Sequence, residues 1–215
     1  MKNISFLIAV VAVALLTGCF QRGIRGDGNI VSEKRTIGDF TRLEASGAYD
    51  IRWTNGPVAL TLTTDTNLLA HIKTEVSGDT LKIYSDEPIA PSKDVKVVLS
   101  SSGLKDVSVA GAIHLVAGGI SGPGLNLSAA GAVDIELGGN VTNLTANLAG
   151  ASELEAGGLE ASSVDIALVG ASSGRVAVAD RLKASIAGAG SLTYIGNPAS
   201  VDKTVVGAGS VRREK

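Results

Sequence analysis

Seven glycines in this chain are each followed directly by alanine. Six of them, Gly111, Gly131, Gly150, Gly170, Gly188 and Gly207, recur at intervals of 20, 19, 20, 18 and 19 residues. Units this short cannot each enclose a hydrophobic core, so the C-terminal half has to bury its apolar side chains by stacking one unit on the next.

Aligned on these glycines, the units share one pattern. Residues six, four and two places before the glycine are mostly apolar: Leu125, Leu127 and Ala129; Leu144, Ala146 and Leu148; Val164, Ile166 and Leu168; Leu182, Ala184 and Ile186. Small or polar residues lie between them. After the glycine the alternation resumes with Ile113, Leu115 and Ala117, with Val133, Ile135 and Leu137, and with Leu154 and Ala156. A period of two is that of a strand buried on one side. Each unit therefore contains two short strands joined at a Gly-Ala corner. A second corner is expected about one strand later, at Gly118-Gly119, Gly138-Gly139, Gly157-Gly158 and Gly196-Asn197. Glycine suits such corners because it accepts positive φ and close backbone approach.

These features predict an all-β fold: a parallel β-helix or β-solenoid with about two strands per coil of 18–20 residues. The handedness of parallel crossovers predicts the right hand. The five intervals from Gly111 to Gly207 would stack to about 24 Å at about 4.8 Å each. An antiparallel sandwich of hairpins is the competing architecture, but it offers no reason for one apolar register at every glycine.

The N-terminus carries a second signal. Lys2 precedes an apolar run from Ile4 to Leu16 that is short for a membrane span and has the size of a signal-peptide core. It ends in Leu16-Thr17-Gly18-Cys19, a match to the bacterial lipobox, whose cysteine is lipidated and becomes the mature N-terminus. The alternative is an ordinary signal peptide that happens to contain a cysteine. Acyl chains on Cys19 would tether the protein to a membrane without spanning it. Phe20, where an Asp would favour inner-membrane retention, points to the outer membrane of a bacterial cell envelope. Cys19 is the only cysteine, so no disulfide framework can form.

Residues 1–18 are thus assigned to a signal peptide and 19–35 to a lipidated tether. Residues 36–104 form N-terminal strands and a capping subdomain, and 105–215 the solenoid repeats. Without residues 1–18 the charge is 18 − 21 = −3, and with no basic cluster nucleic acid is not an expected partner. Gly47 marks an outlying coil with Tyr49, Ile51 and Trp53 in inward register. Beyond it the strand-like runs Val58-Leu60-Leu62, Leu81-Ile83 and Val95-Val97-Leu99 flank a short helix expected over 67–76, capped by Asp65 or Thr66. A solenoid's blunt end exposes unpaired edge and needs such a cap. At the other end Lys203 and Arg213 fall at inward positions, which reads either as a block to further strand addition or as a basic docking patch.

The stretch Gly28-Asn29-Ile30-Val31 through Phe40, Leu43 and Gly47-Ala48-Tyr49-Asp50-Ile51, with the serial Gly-Ala corners after it, resembles the head GIN domain family of putative autotransporter adhesins. The resemblance covers about residues 28 to 211. It implies a pectin-lyase-like β-helix, no established catalytic residues and a role in adhesion at the bacterial envelope. No C-terminal membrane barrel accompanies it here.

Catalytic solenoids align acidic and basic side chains along one outward column. Three residues past each corner glycine the column reads His114, Asp134, Glu153, Ser173, Ser191 and Ser210; five past, it reads Val116, Glu136, Glu155, Arg175, Thr193 and Arg212. Asp134, Glu136, Glu153 and Glu155 could form a solvated acidic face, hold a hard cation such as Ca2+, or supply a catalytic carboxylate pair. His71 and His114 read as surface residues. Phosphate-loop, dinucleotide, nonapeptide calcium and nucleophile-elbow patterns are absent. Arg25-Gly26-Asp27 spells an integrin-binding tripeptide, a weak match.

The expected function is a non-catalytic, adhesin-like protein anchored in the envelope by lipid, with no cofactor. Its expected partners are the membrane, through the lipid on Cys19, and another copy of itself, an envelope protein or a surface polysaccharide. The alternatives are a structural or assembly component of the envelope and, third, a polysaccharide-active enzyme.

Overall fold

A computed structural model describes residues 23–214, and within them strand follows the period-two pattern almost without interruption. The signal peptide and Cys19 lie outside the described residues. Strand makes up 76% of the described residues and helix 3%, so the fold is all-β.

Seven glycine-centred rungs form the body. Strand β3 (Arg42–Asn55) carries Gly47; β9 (Asp106–Gly150) carries Gly111 and Gly131 and ends on Gly150; β10 (Glu153–Gly170), β11 (Ser173–Gly188) and β13 (Ser200–Gly207) each end on the next corner. Two shorter strands, β12 (Ser191–Ile195) and β14 (Ser210–Arg213), continue the face that follows the corner. Neighbouring rungs pair in parallel and in register, with Gly47 opposite Gly111, Gly150 opposite Gly170, Gly170 opposite Gly188 and Gly188 opposite Gly207. Parallel pairing between rungs excludes the hairpin sandwich for this half. Gly47 is not an outlier: its rung lies directly against that of Gly111, and residues 56–105 form an insertion between the two.

The stacking explains why the corners are glycine. All seven have φ between 97° and 137°. A Cβ at Gly150 would lie 2.6 Å from the carbonyl oxygen of Gly131, and one at Gly170 the same distance from that of Gly150, closer than any real Cβ comes to an oxygen. Backbone hydrogen bonds continue through the turn, from Ala151 N to Gly131 O, Ala171 N to Gly150 O and Ala189 N to Gly170 O, each 2.9 Å, so no corner amide in this run is left without a partner. Of the expected second corners, Gly119, Gly139 and Gly196 take positive φ. At Gly157-Gly158 the chain instead shifts register against both neighbours.

The predicted inward residues are the core. Leu115, Leu127, Ile135, Ala146, Leu154, Ile166, Leu182 and their equivalents are buried in one continuous cluster that also takes in Tyr49, Trp53 and Tyr194. Trp53 Nε1 donates to Ser101 Oγ at 2.9 Å, which satisfies the one polar atom of that indole.

The insertion caps the first rung. Strands β2 (Ile30–Arg35), β4 (Ala59–Asp65) and β8 (Lys96–Ser101) extend the sheet beyond β3, with β4 antiparallel to both β2 and β8 and β8 parallel to β3. The hairpin of β5 (Ile72–Ser77) and β6 (Thr80–Ser85) covers the other half of β3. The helix expected over 67–76 is a short 3-10 helix, Thr66–His71, followed directly by β5. Ile72, Thr74 and Val76 are β-branched and alternate, and pairing with β6 overrides the helical spacing. Asp65 does not cap this turn.

The stretch read as a tether leading into a first strand is paired in its described part. From Gly23 onward it follows the body: β1 (Ile24–Arg25) pairs in parallel with β7 (Ile89–Ala90), and β2 lies in the main sheet. At the far end Lys203 and Arg213 are exposed, with Lys203 Nζ 5.7 Å from the centre of the Tyr194 ring.

Candidate functional site

The in-register rungs turn the outward residues into columns. Asp134 is paired with Glu153, and Glu136 with Glu155, on adjacent rungs of β9 and β10. The column three places past the corner begins one rung earlier than the repeats after Gly111 suggest, because Asp50 of β3 sits opposite His114. Extending the glycine alignment back to Gly47 would have included Asp50.

This column lines a shallow open groove beside the Gly-Ala edge. One stretch, of about 450 Å3, is lined by Ala112, Ala132, Ala151, His114, Asp134 and Glu153 among others. A second, of about 410 Å3, shares Ala112 and His114 and runs on past Asp50 to Pro91 and Asp94 of the cap. The floor is small because alanine follows every corner glycine, and the wall is polar because the third residue faces outward.

The four carboxylates form a ladder and not a cage. Side chains two residues apart on a strand are about 7 Å apart and those on neighbouring rungs about 4.8 Å, and the neighbours draw these groups in different directions. His114 Nδ1 lies 3.2 Å from Asp134 Oδ2. Glu155 Oε1 accepts from Arg175 Nη1 at 2.9 Å and from its own rung at Gly157 N, 3.0 Å. Among the described residues no three His, Cys, Asp or Glu side chains are grouped so as to hold a metal ion. Asp134, Glu136, Glu153 and Glu155, weighed above as a solvated face, a cation site or a catalytic pair, are not drawn into such a group.

Arg175 is bound twice. Its Nε and Nη2 donate to the two oxygens of Glu214, at 2.8 and 3.0 Å, while Nη1 reaches Glu155. Glu214 first and Glu155 second push the guanidinium's pKa up, and Arg175 in turn holds Glu214 below the usual carboxylate range. Glu155 was legible as a partner from the column alignment. Glu214, 39 residues away in sequence, carried no local signal.

The opposite face shows the same cross-rung pairing five residues before the corner: Asp106 with Asn126 at 2.8 Å and Asp165 with Lys183 at 2.9 Å. Asp165 raises the pKa of Lys183. Each side thus carries polar pairs that bridge neighbouring rungs.

The buried polar side chain with the most partners lies in the cap. Asp65 Oδ1 accepts from Gly28 N at 2.7 Å and Ser92 Oγ at 2.6 Å, and Oδ2 accepts from Ser92 N at 2.9 Å. The Ser92 hydroxyl foremost, with the Ser92 and Gly28 amides, holds this carboxyl below its ordinary value against the opposing effect of burial. Gly26 packs so closely on the same carboxylate that a Cβ would overlap it, so Arg25-Gly26-Asp27 is part of this clip and not a protruding loop.

Residues 39–198 match the family described as putative auto-transporter adhesin, head GIN domain. The chain belongs to this family. Among solved structures it is similar to a putative adhesin of Bacteroides fragilis, at 20% identity and a TM-score of 0.73, covering 89% of this chain and all of that one. It is also similar to a putative lipid binding protein of Parabacteroides distasonis, at 23% identity and a TM-score of 0.58 over 90% of this chain and all of that one. A putative adhesin of Parabacteroides merdae matches at 22% identity and a TM-score of 0.52, over 90% of this chain and 99% of that one. At these identities the likeness is one of fold. No curated protein matches the chain. Among the described residues of this head GIN domain protein, no helix is long and apolar enough to cross a membrane.

Proposed function

We propose that this protein is a lipid-anchored component of the bacterial envelope that acts by binding and not by catalysis. Its body is read as a right-handed, pectin-lyase-like parallel β-solenoid of two strands per 18–20-residue coil. Family membership and the adhesin names of its structural relatives support an envelope location, the lipobox at Cys19 supports the anchor, and Phe20 after it supports the outer membrane.

The observation that carries the reading is the groove beside the Gly-Ala edge. It presents one side-chain position, Asp50, His114, Asp134, Glu153 and then Ser173, at every rung. A repeating polar column beside a rigid edge suits an extended polymer, which can make the same contact again at each rung spacing of about 4.8 Å. The partner is a surface polysaccharide. Binding of the lipid-free protein to a glycan array, reduced at least tenfold by Asp134→Asn with Glu153→Gln, is the expected result. Turnover of a polysaccharide panel that disappears in Asp134→Ala or Glu153→Ala would overturn the non-catalytic reading.

The second reading, an assembly component of the envelope, is favoured by the last rung. Among the described residues strand β13 pairs only with β11, and Val201, Val205 and Val206 are exposed. Co-purification with one envelope complex and no glycan signal would select it.

A further inference from the structure

The segment that follows Cys19 is fastened to the cap with more contacts than a linker needs. Ile24 N donates to Pro88 O at 2.8 Å and Gly26 N to Ala90 O at 2.9 Å, closing the β1–β7 pair. Asp27 N donates to Asn67 Oδ1 at 3.0 Å, and Asn67 Nδ2 returns a bond to Arg25 O at 2.8 Å. Gly28 N donates to the buried Asp65. The two glycines are required by contact: a Cβ at Gly23 would lie 2.8 Å from Pro88 O, and one at Gly26 would overlap the Asp65 carboxylate.

This clip sets the length of the leash. Cys19 is four residues before Gly23 and eleven before Ile30, the first residue of β2. At no more than about 3.6 Å per residue, a chain free up to Ile30 would let the body drift about 40 Å from the anchor, whereas a chain fixed from Gly23 allows only about 14 Å. The fastening sits on the cap, at the end of the stack opposite β13 and β14. The six rung spacings from Gly47 to Gly207 place the last rung about 29 Å further along the stack.

We propose that the cap face around Glu87, Pro88 and Ile89 is held against the lipid bilayer that carries the anchor, so that the solenoid projects from the membrane with its unpaired last rung outermost. The inference rests on lipidation of Cys19. The occupant of this face is the bilayer surface, because the leash is too short to admit another folded domain between them. The face itself carries Asp86 and Glu87 as well as Lys73, with Asp86 bonded to Lys73 at 2.9 Å, so it has no strong charge of its own for lipid and is brought there by the tether.

Cys19 is the only cysteine, so once it is acylated an introduced cysteine is the only free thiol. The intact lipoprotein, its acyl mass confirmed, is labelled with a donor dye at Glu87→Cys or at Ser200→Cys in β13 and reconstituted into phosphatidylcholine vesicles carrying an acceptor on the headgroups. The expected result is several-fold stronger energy transfer from position 87 than from 200. Inserting twelve Gly/Ser residues between Arg22 and Gly23, just ahead of the first described residue, should abolish most of that difference, and Asp65→Asn should reduce it. Equal transfer from the two positions, or a difference that survives the insertion, would overturn the proposal while leaving the anchor in place. An intact mass without acyl chains would overturn both.

Discussion

Ile186 crowds the place that a side chain at Gly190 would take: its Cγ2 lies 3.2 Å from where the Cβ would be, the next contact after the Ser172 carbonyl oxygen at 2.7 Å. The two residues flank the corner at Gly188, two places before it and two after, and both point inward. The same pair of positions trades volume at most rungs. Ala45 faces Tyr49, Val109 faces Ile113 and Ala129 faces Val133; then the balance reverses, with Leu148 against Ser152, Leu168 against Ser172 and Val205 against Gly209. The corner responds to the exchange. Strand runs unbroken through Gly47, Gly111 and Gly131, but it stops at Gly150, Gly170, Gly188 and Gly207, where the later residue is small. Interiors are packed to the density of organic solids, so the filled space is shared across the bend and not assigned to either position.

Shared space predicts a compensating pair. Leu148→Ala should cost about 2–5 kcal/mol as a large-to-small change, and Ser152→Val alone about 1–3 kcal/mol through overpacking. Together they should cost less than Leu148→Ala by itself, a coupling of at least about 1 kcal/mol between touching sites. Urea melts followed by the fluorescence of the single tryptophan, Trp53, give all the values. Simple additivity would contradict the shared-volume account.

The stacked corners predict a sharp difference among glycines with positive φ. Gly170 (φ 97°) has the Gly150 carbonyl 2.6 Å from where its Cβ would be, whereas Gly78 (φ 63°) has nothing within 4 Å. Gly78→Ala should therefore cost only the left-handed backbone preference, about 1–2 kcal/mol. Gly170→Ala must also push two rungs apart and should lose several times more. Denaturation midpoints of the two variants, compared side by side, test this.

Most of the parallel-paired half was legible because one unit repeats: the register of Leu125, Leu144, Val164 and Leu182 recurs at each glycine, and all four are buried. The cap was less legible because it is built once. Leu68, Leu69, Ile72 and Val76 have helical spacing, and only pairing with β6, invisible from local sequence, turns the second half of that stretch into strand. The groove was half legible. His114, Asp134 and Glu153 follow from the column, but the convergence of Asp94 and Pro91 on the same groove comes from the cap's folding back. Asp65 looked like a helix cap because its true partners, Gly28 and Ser92, lie 37 and 27 residues away.

The Arg175 clamp predicts local and not global consequences. Glu155, Arg175 and Glu214 are each 40–46% exposed, and exposed ion pairs contribute little to overall stability. Glu214→Ala should leave the melting temperature nearly unchanged while amide protection in β14 falls, because the strand pairs on one side only and loses its side-chain tie to the preceding rungs. Hydrogen exchange resolved to β12 and β14 separates the two effects. Loss of protection spreading into β10 would show that the clamp supports the body itself.

Asp65 predicts that acid opens the tether clip before it opens the array. Its carboxyl is held below the ordinary value of 3.8 in the folded protein. The charged form is therefore the one the fold favours, and the stabilisation is complete above the unfolded value and is lost as pH falls through the lower folded value. Asp39, held low chiefly by Ser102, and Asp86, held low chiefly by Lys73, titrate in the same direction, so total stability also declines below 3.8 and cannot by itself report on Asp65. A local measurement can. Pulse-labelled amides of residues 24–28 should lose protection as pH drops below 3.8 while β9 to β11 keep theirs. In Asp65→Asn, which cannot carry the charge that Ser92 and the Gly28 amide solvate, the same amides should be poorly protected already at pH 7 and show no further change in acid. Protection of 24–28 that tracks β9 through the titration, or survives in Asp65→Asn, would mean that the clip does not depend on this carboxylate.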